Sequence, residues 1–261
     1  MINIYAHRFD FRTFTTLVVG TLAIFFVPGS SVLRADDAAK DGWIALSDDF
    51  KAWKQPTGAW FLAESVGIDP KNEKRLAGKP VGKGQPGKGL IVNGKTGRTK
   101  NLITTKEWGD VEVSLEFMIP NHSNSGVKLE GVYEIQIYDS WKVAKPTGAD
   151  CGGIYPRAES EPKYHHIDDG VPPLVNAAKK PGEWQTLDIV FHAPRFDASG
   201  KKTKNAMFEK VLLNGKLVQD HADAATPTGS VWHDEEHPTG PLLLQADHGP
   251  VAFRNVRLRP L

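Results

Sequence analysis

Between residues 111 and 119 the chain reads VEVSLEFMI, and this run restricts the fold more than any other. Val111, Val113, Leu115, Phe117 and Ile119 alternate with Glu112, Ser114, Glu116 and Met118. Successive side chains of a strand point to opposite faces, so the pattern predicts a β-strand with one face in a core. Further runs of the same kind lie at 88–93, 100–105, 126–130, 132–139, 184–193, 207–213, 216–220, 241–246 and 251–258. Asn214-Gly215 sits between two of them and suits a two-residue hairpin turn, in which both positions need positive φ. Past residue 40 no long apolar stripe repeats at the helical period. Many short strands punctuated by Gly, Pro and Asn predict an all-β protein, a jelly-roll β-sandwich of antiparallel sheets.

The first 35 residues are of another kind. Arg8 and Arg12 precede the apolar run FTTLVVGTLAIFFV, and Pro28, Gly29, Ser30 and Ser31 lead to a cleavage point after Ala35. A basic start, a short apolar centre and small residues near the end make a secretory signal. The run is shorter than the roughly 20 residues that span a bilayer. An uncleaved N-terminal anchor is the alternative. The expected division is therefore a signal peptide at 1–35 and one β-sandwich domain at 40–261. It would be secreted or periplasmic, with no membrane attachment after signal removal. The single cysteine, Cys151, allows no internal disulfide, so the apolar core must supply the stability. The formal charge of +1 offers no basic block beyond 71–88, which argues against a nucleic-acid partner. The oligomeric state is not encoded in any pattern here.

Two segments break the strand rhythm. Residues 69–88 are rich in Lys, Gly and Pro, the composition of a mobile loop. Residues 142–183 carry CGGIYPRAES, KYHHIDDG and VPPLVNAAKKPGE. That second segment reads equally as an ordered loop over the rim of a cleft or as a wrap around a sheet edge.

The polar residues converge on one surface. In the run YEIQIYD, Ile135 and Ile137 share the core face, while Glu134, Gln136 and Tyr138 share the other. Asp139 falls on the Ile face unless a bulge turns it. Likewise Val127 and Leu129 point inward and Lys128 outward, and Leu243, Gln245 and Asp247 oppose Leu242 and Leu244. His248 and Gly249 begin the following turn. Amides and carboxylates with an aromatic platform suit a sugar, which has many hydroxyls and few charges. Trp141, Tyr138 and Tyr155 are the stacking candidates. The plain alternative is the solvated face of an antiparallel sheet. The spacing Glu134-x-Gln136-x-x-Asp139 is similar to the E-x-D-x-x-E strand of laminarinase-like jelly-roll glycosidases. A retaining glycosidase needs its carboxyl groups about 5–5.5 Å apart, and Asp139 on the opposite face does not meet that.

Other chemistry is weaker. His165-His166 and His233…His237 lack a clear third metal ligand, and HDEEH reads as a polar surface loop. Cys151 reads as a small buried residue.

At these residues a family resemblance emerges. NSGVKLEGVYEIQIYDS (124–140), CGGIYP (151–156), PGEWQTLDIVFHAPRFD (181–197), LNG (213–215) and GPLLLQADHGPVAFRNVRLRP (240–260) resemble the 3-keto-disaccharide hydrolase domain family. The match runs in order from about Trp43 to Leu261. The resemblance implies a concanavalin-like β-sandwich, export from a bacterial cell, and action on sugars whose C3 hydroxyl is oxidised to a ketone. A 3-keto group acidifies the C2 proton. Its removal gives an enolate that expels the C1 substituent, and water then adds. This requires a base, an electrophile at the ketone oxygen and an acid. Glu134 or His248 would be base or acid, with Lys128 or a bound divalent cation at the enolate. No cofactor is otherwise implied. Gln136, Gln245, Trp141, Asn124, Tyr155 and Asp247 would hold the sugar. Arg254 has two readings, part of the site or a lock between strands. A non-catalytic carbohydrate-binding module on the same scaffold is the competing expectation.

Overall fold

The computed structural model describes residues 41–83 and 85–261, so the expected signal segment lies outside the described residues. In chain order the strands are β1 (Ile44–Ala45), β2 (Phe61–Asp69), β3 (Asn72–Pro80), β4 (Leu90–Val92), β5 (Leu102–Trp108), β6 (Val111–Met118), β7 (Asn124–Leu129) and β8 (Tyr133–Tyr138). There follow β9 (Ala158–Glu159), β10 (His165–His166), β11 (Gln185–His192), β12 (Arg195–Phe196), β13 (Lys202–Lys204), β14 (Ala206–Leu213), β15 (Lys216–Ala224), β16 (Gly240–Leu244) and β17 (Ala252–Pro260). The larger sheet runs β15-β14-β11-β6-β17-β4-β2-β3, with β1 on β17. The smaller runs β5-β16-β7-β8. Pairing within both is antiparallel, and the architecture is the expected all-β jelly-roll sandwich.

The alternating runs face each other across the core. Val113, Leu115 and Phe117 of β6, Ile189 and Phe191 of β11, and Phe253 and Leu258 of β17 come from the larger sheet. They pack in one cluster with Val127, Leu129, Ile135, Ile137, Leu242 and Leu244 of the smaller. Each such side chain contributes roughly 1.5–3 kcal/mol on full burial. No disulfide assists, because Cys151 is a buried free thiol whose pKa burial pushes up to about 12. The Asn214-Gly215 turn forms as expected. Leu213 pairs with Lys216, and the two turn residues have φ of 54° and 75°.

Two expectations are corrected. Residues 69–88 are not a plain loop, because Asn72–Pro80 is strand β3, paired with the unforeseen β2. β3 ends the sheet, and only Leu76 in it is buried. Lys74 and Lys79, part of what resembles loop composition, lie in this edge strand, where charge discourages pairing with other chains. Asp139 lies beyond the end of β8, where its carboxylate accepts the backbone N–H of His122 at 2.9 Å. It secures a turn and takes no part in the polar face. The 142–183 segment does wrap a sheet edge. Residues 152–155 lie along β8, with Ile154 bridging Ile135 on one side and Val171 on the other. Arg254 locks strands, as one of its two readings held. Its guanidinium binds Glu116 of β6 at 2.5 and 3.0 Å and lies 4.1 Å from the Trp184 ring.

Candidate functional site

Register brings the polar residues together. β7 and β8 pair Lys128 with Glu134, Gly126 with Gln136, and Asn124 with Tyr138. On the free edge of β8, the backbone N–H of Tyr155 donates to the Glu134 carbonyl at 3.1 Å, next to the Ile135–Ile154 bridge. Residues directly opposite in an antiparallel pair project to the same side. Lys128, Glu134 and Tyr155 therefore form a row across three neighbouring segments. In the next row Gln245 joins Gly126 through its backbone N–H at 2.9 Å. Gly126 is required there, because a Cβ would sit 2.1 Å from the Glu134 Oε1. The Glu134 carboxyl thus leans over a position kept empty for it.

Glu134 Oε2 lies 3.2 Å from Lys128 Nζ, and the two side chains are only 3% and 15% exposed. Burial raises the Glu134 pKa above the ordinary carboxylate range; Lys128 and then His248 oppose the rise, and Asp247 adds to it. The charges of His248 and Asp247 therefore reach Glu134. His248 Nδ1 is 2.7 Å from Asp247 Oδ1, and both side chains are about half exposed. That hydrogen bond raises the His248 pKa above the usual imidazole value and lowers that of Asp247. With Nδ1 occupied by Asp247, proton exchange at His248 falls to Nε2.

The Asp247–His248 turn is braced from below. Buried Asn93 donates through Nδ2 to the carbonyls of Ala246 at 3.2 Å and Gly249 at 2.8 Å, and its Oδ1 accepts the N–H of Val251 at 2.9 Å. Ser125 Oγ donates to the Gln245 carbonyl at 2.8 Å, and Ser123 Oγ to that of Pro250 at 2.6 Å. Reading the sequence misses Asn93, which lies in KGLIVN and is polar at the end of an apolar run.

The expected sugar-binding residues divide. Gln245 and Asn124 join the cluster, and Gln245 Oε1 and Asn124 Oδ1 are buried without a hydrogen-bond partner. Buried acceptors are rarely left unpaired, and a ligand or water hydroxyl would satisfy them. Gln136 is buried and its side-chain oxygen accepts the N–H of Ile137 at 3.0 Å, so it braces its own strand. Trp141 stands beyond the end of β8, with Lys142 Nζ 4.1 Å and Lys180 Nζ 5.8 Å from its ring. No contact joins it to Glu134 among the described residues. The Tyr155 hydroxyl is 3.0 Å from both His166 Nε2 and Tyr164 Oη. His166 also lines an open depression of about 460 Å3 with Thr147, Pro156, Ile167, Asp168 and Asp169.

Among the described residues no three His, Cys, Asp or Glu side chains are grouped so as to hold a metal ion. His233 lies against Trp232, with ring centroids 3.6 Å apart, and reaches Glu159 at 3.4 Å on the surface.

The family described as the 3-keto-alpha-glucoside-1,2-lyase-like domain matches residues 42–259. The chain belongs to that family. The matched span takes in both sheets and every residue of the cluster. No curated protein matches the chain. Among solved structures, one candidate glycosyl hydrolase from Parabacteroides distasonis superimposes with a TM-score of 0.59 at 24% identity, covering 85% of this chain and 84% of that one. A second from the same organism gives 0.53 at 17% identity, over 88% and 98%. At those identities the likeness concerns the fold, and the family match carries the link to carbohydrate chemistry.

Proposed function

We propose that this protein cleaves the glycosidic bond of 3-keto-glycosides by removing the C2 proton, expelling the C1 substituent and adding water. The observation that carries the reading is an ammonium and an imidazole in one polar cluster, each held by its own carboxylate. Lys128 is held by Glu134, and His248 by Asp247. In this scheme His248 Nε2 takes the C2 proton. The Lys128 ammonium faces the C3 oxygen as it becomes an enolate, where a positive charge in a desolvated setting is most effective. Glu134 fixes the ammonium and lowers its freedom. Gln245 and Asn124 receive sugar hydroxyls at their unpartnered oxygens. The layout of residues 8–35 supports an exported protein that meets such sugars outside the cytoplasm.

The depth of Glu134 favours a second reading, a carbohydrate-binding module without catalysis, since a buried ion pair also serves as scaffold. One assay separates the two. The protein is incubated with 3-keto-trehalose and 3-keto-sucrose beside the unoxidised sugars, with and without EDTA. Release of a free sugar from the 3-keto substrates alone is the expected result. Binding without release supports the module, and activity lost only in EDTA moves the enolate partner from Lys128 to a cation.

A further inference from the structure

Tyr155 is placed to do more than stack. It faces the site from the edge of β8, directly opposite Glu134. Its hydroxyl is the middle member of a chain, 3.0 Å from His166 Nε2 and 3.0 Å from Tyr164 Oη. The His166 ring meets the Tyr155 and Tyr164 rings edge-on, with centroids 5.2 and 5.9 Å away. The β9–β10 pairing of His166 with Ala158 fixes this arrangement. His166 is exposed and lines the depression of about 460 Å3. One wall of that depression is rigid, because Asp168 accepts Arg157 Nε at 2.7 Å and the backbone N–H of Gly170 at 2.9 Å. Tyr155 therefore joins the row that holds Lys128 and Glu134, while its hydroxyl meets a lining residue of a polar depression large enough for a sugar ring.

Resting on the reading above, we infer that Tyr155 protonates the oxygen leaving C1, and that the depression beside His166 seats the departing sugar. A sugar alkoxide is a poor leaving group, so the C1–O bond breaks only as its oxygen gains a proton. As the enolate electrons form the C1–C2 double bond, the C1–O pair passes to the oxygen, which takes the Tyr155 proton. Tyr155 takes a proton in turn from His166, which recovers one from solvent. Charge and protons balance, and no free phenolate persists. A phenol keeps its proton throughout the neutral range, and burial and the Tyr164 bond raise the Tyr155 pKa further, so Tyr155 gives up its proton only as His166 supplies another. Thr147, Asp168 and Asp169 offer oxygens to the departing sugar's hydroxyls, and Pro156 and Ile167 an apolar surface to its ring.

The test compares leaving groups. Tyr155→Phe keeps the ring and removes the hydroxyl. On 3-keto-trehalose, whose leaving group is a sugar, kcat/KM is expected to fall about 10²–10⁴-fold. On a 4-nitrophenyl 3-keto-α-glucoside, whose leaving group needs no acid, the fall is expected to be far smaller. His166→Gln, at an exposed position, should show the same contrast in weaker form and serves if Tyr155→Phe does not fold. Equal losses on both substrates would overturn the assignment while the wild type remained active. A wild type inert on both substrates would overturn the proposed function, and this inference with it.

Discussion

Lys128→Met should destabilise the protein by roughly 3–5 kcal/mol, the usual cost of removing one partner from a buried ion pair. The loss would appear as a lower urea midpoint at unchanged slope. The large value follows from asymmetry. The Glu134 carboxyl is 3% exposed, so without Lys128 it cannot recover its interactions from water. The effect should depend on pH. Burial holds the folded-state pKa of Glu134 above its unfolded value near 4.5. A carboxyl raised in this way costs the folded state nothing below its unfolded value, and the cost accrues as pH rises from there to the folded value. The Lys128→Met deficit should therefore be small below pH 4.5 and grow as pH rises above it. Adding Glu134→Gln removes the stranded charge and should return most of the stability at pH 7. A neutral effect of Lys128→Met alone would show that water screens the pair.

His248→Gln should lower kcat/KM on a 3-keto-disaccharide about 10²–10⁴-fold, the usual share of one acid–base group. Stability should stay within about 0.5 kcal/mol, because the residue is half exposed and bonds only its neighbour Asp247. The pH profile gives a sharper reading. The Asp247 hydrogen bond is the largest influence raising the His248 pKa. A base works when deprotonated, so the wild-type rate should climb with pH through a value above that of free imidazole. Asp247→Asn removes the carboxylate that stabilises the imidazolium. The ascending limb should then move to lower pH, with a lower plateau because the base is weaker. A limb that stays in place would exclude His248 as the titrating base.

The strands were legible wherever alternation was strong. VEVSLEFM forms β6 and YEIQIY forms β8 because each has one face in the core. β3 was hidden because an edge strand buries almost nothing and so carries no alternation. Alternation also assigns a side chain to a face without saying what covers that face. Glu134 and Gln136 belong to the non-core face as expected, yet both are buried. Residues 152–155 lie along β8, and the Gly148 carbonyl would stand 2.5 Å from a Cβ on Gly153. That covering depends on pairings between distant residues, which no local pattern reports. Tyr155 was visible as an aromatic, but its place opposite Glu134 comes from the same pairing. His166 stood out in KYHHIDDG without any pointer to the Tyr155 hydroxyl, and Tyr164 did not stand out at all. Gln245 and Asn124 were legible as polar positions, and only burial reveals their side-chain oxygens as unpartnered.

In the proposed reaction this site removes the proton from C2 of a 3-keto sugar. The most direct measurement compares kcat/KM for 3-keto-trehalose carrying hydrogen or deuterium at C2. Severalfold slower cleavage of the deuterated substrate is the predicted result, because the C2–H bond breaks in the step that commits the substrate. Equal rates for the two substrates, with the glycosidic bond still cleaved, would contradict the account.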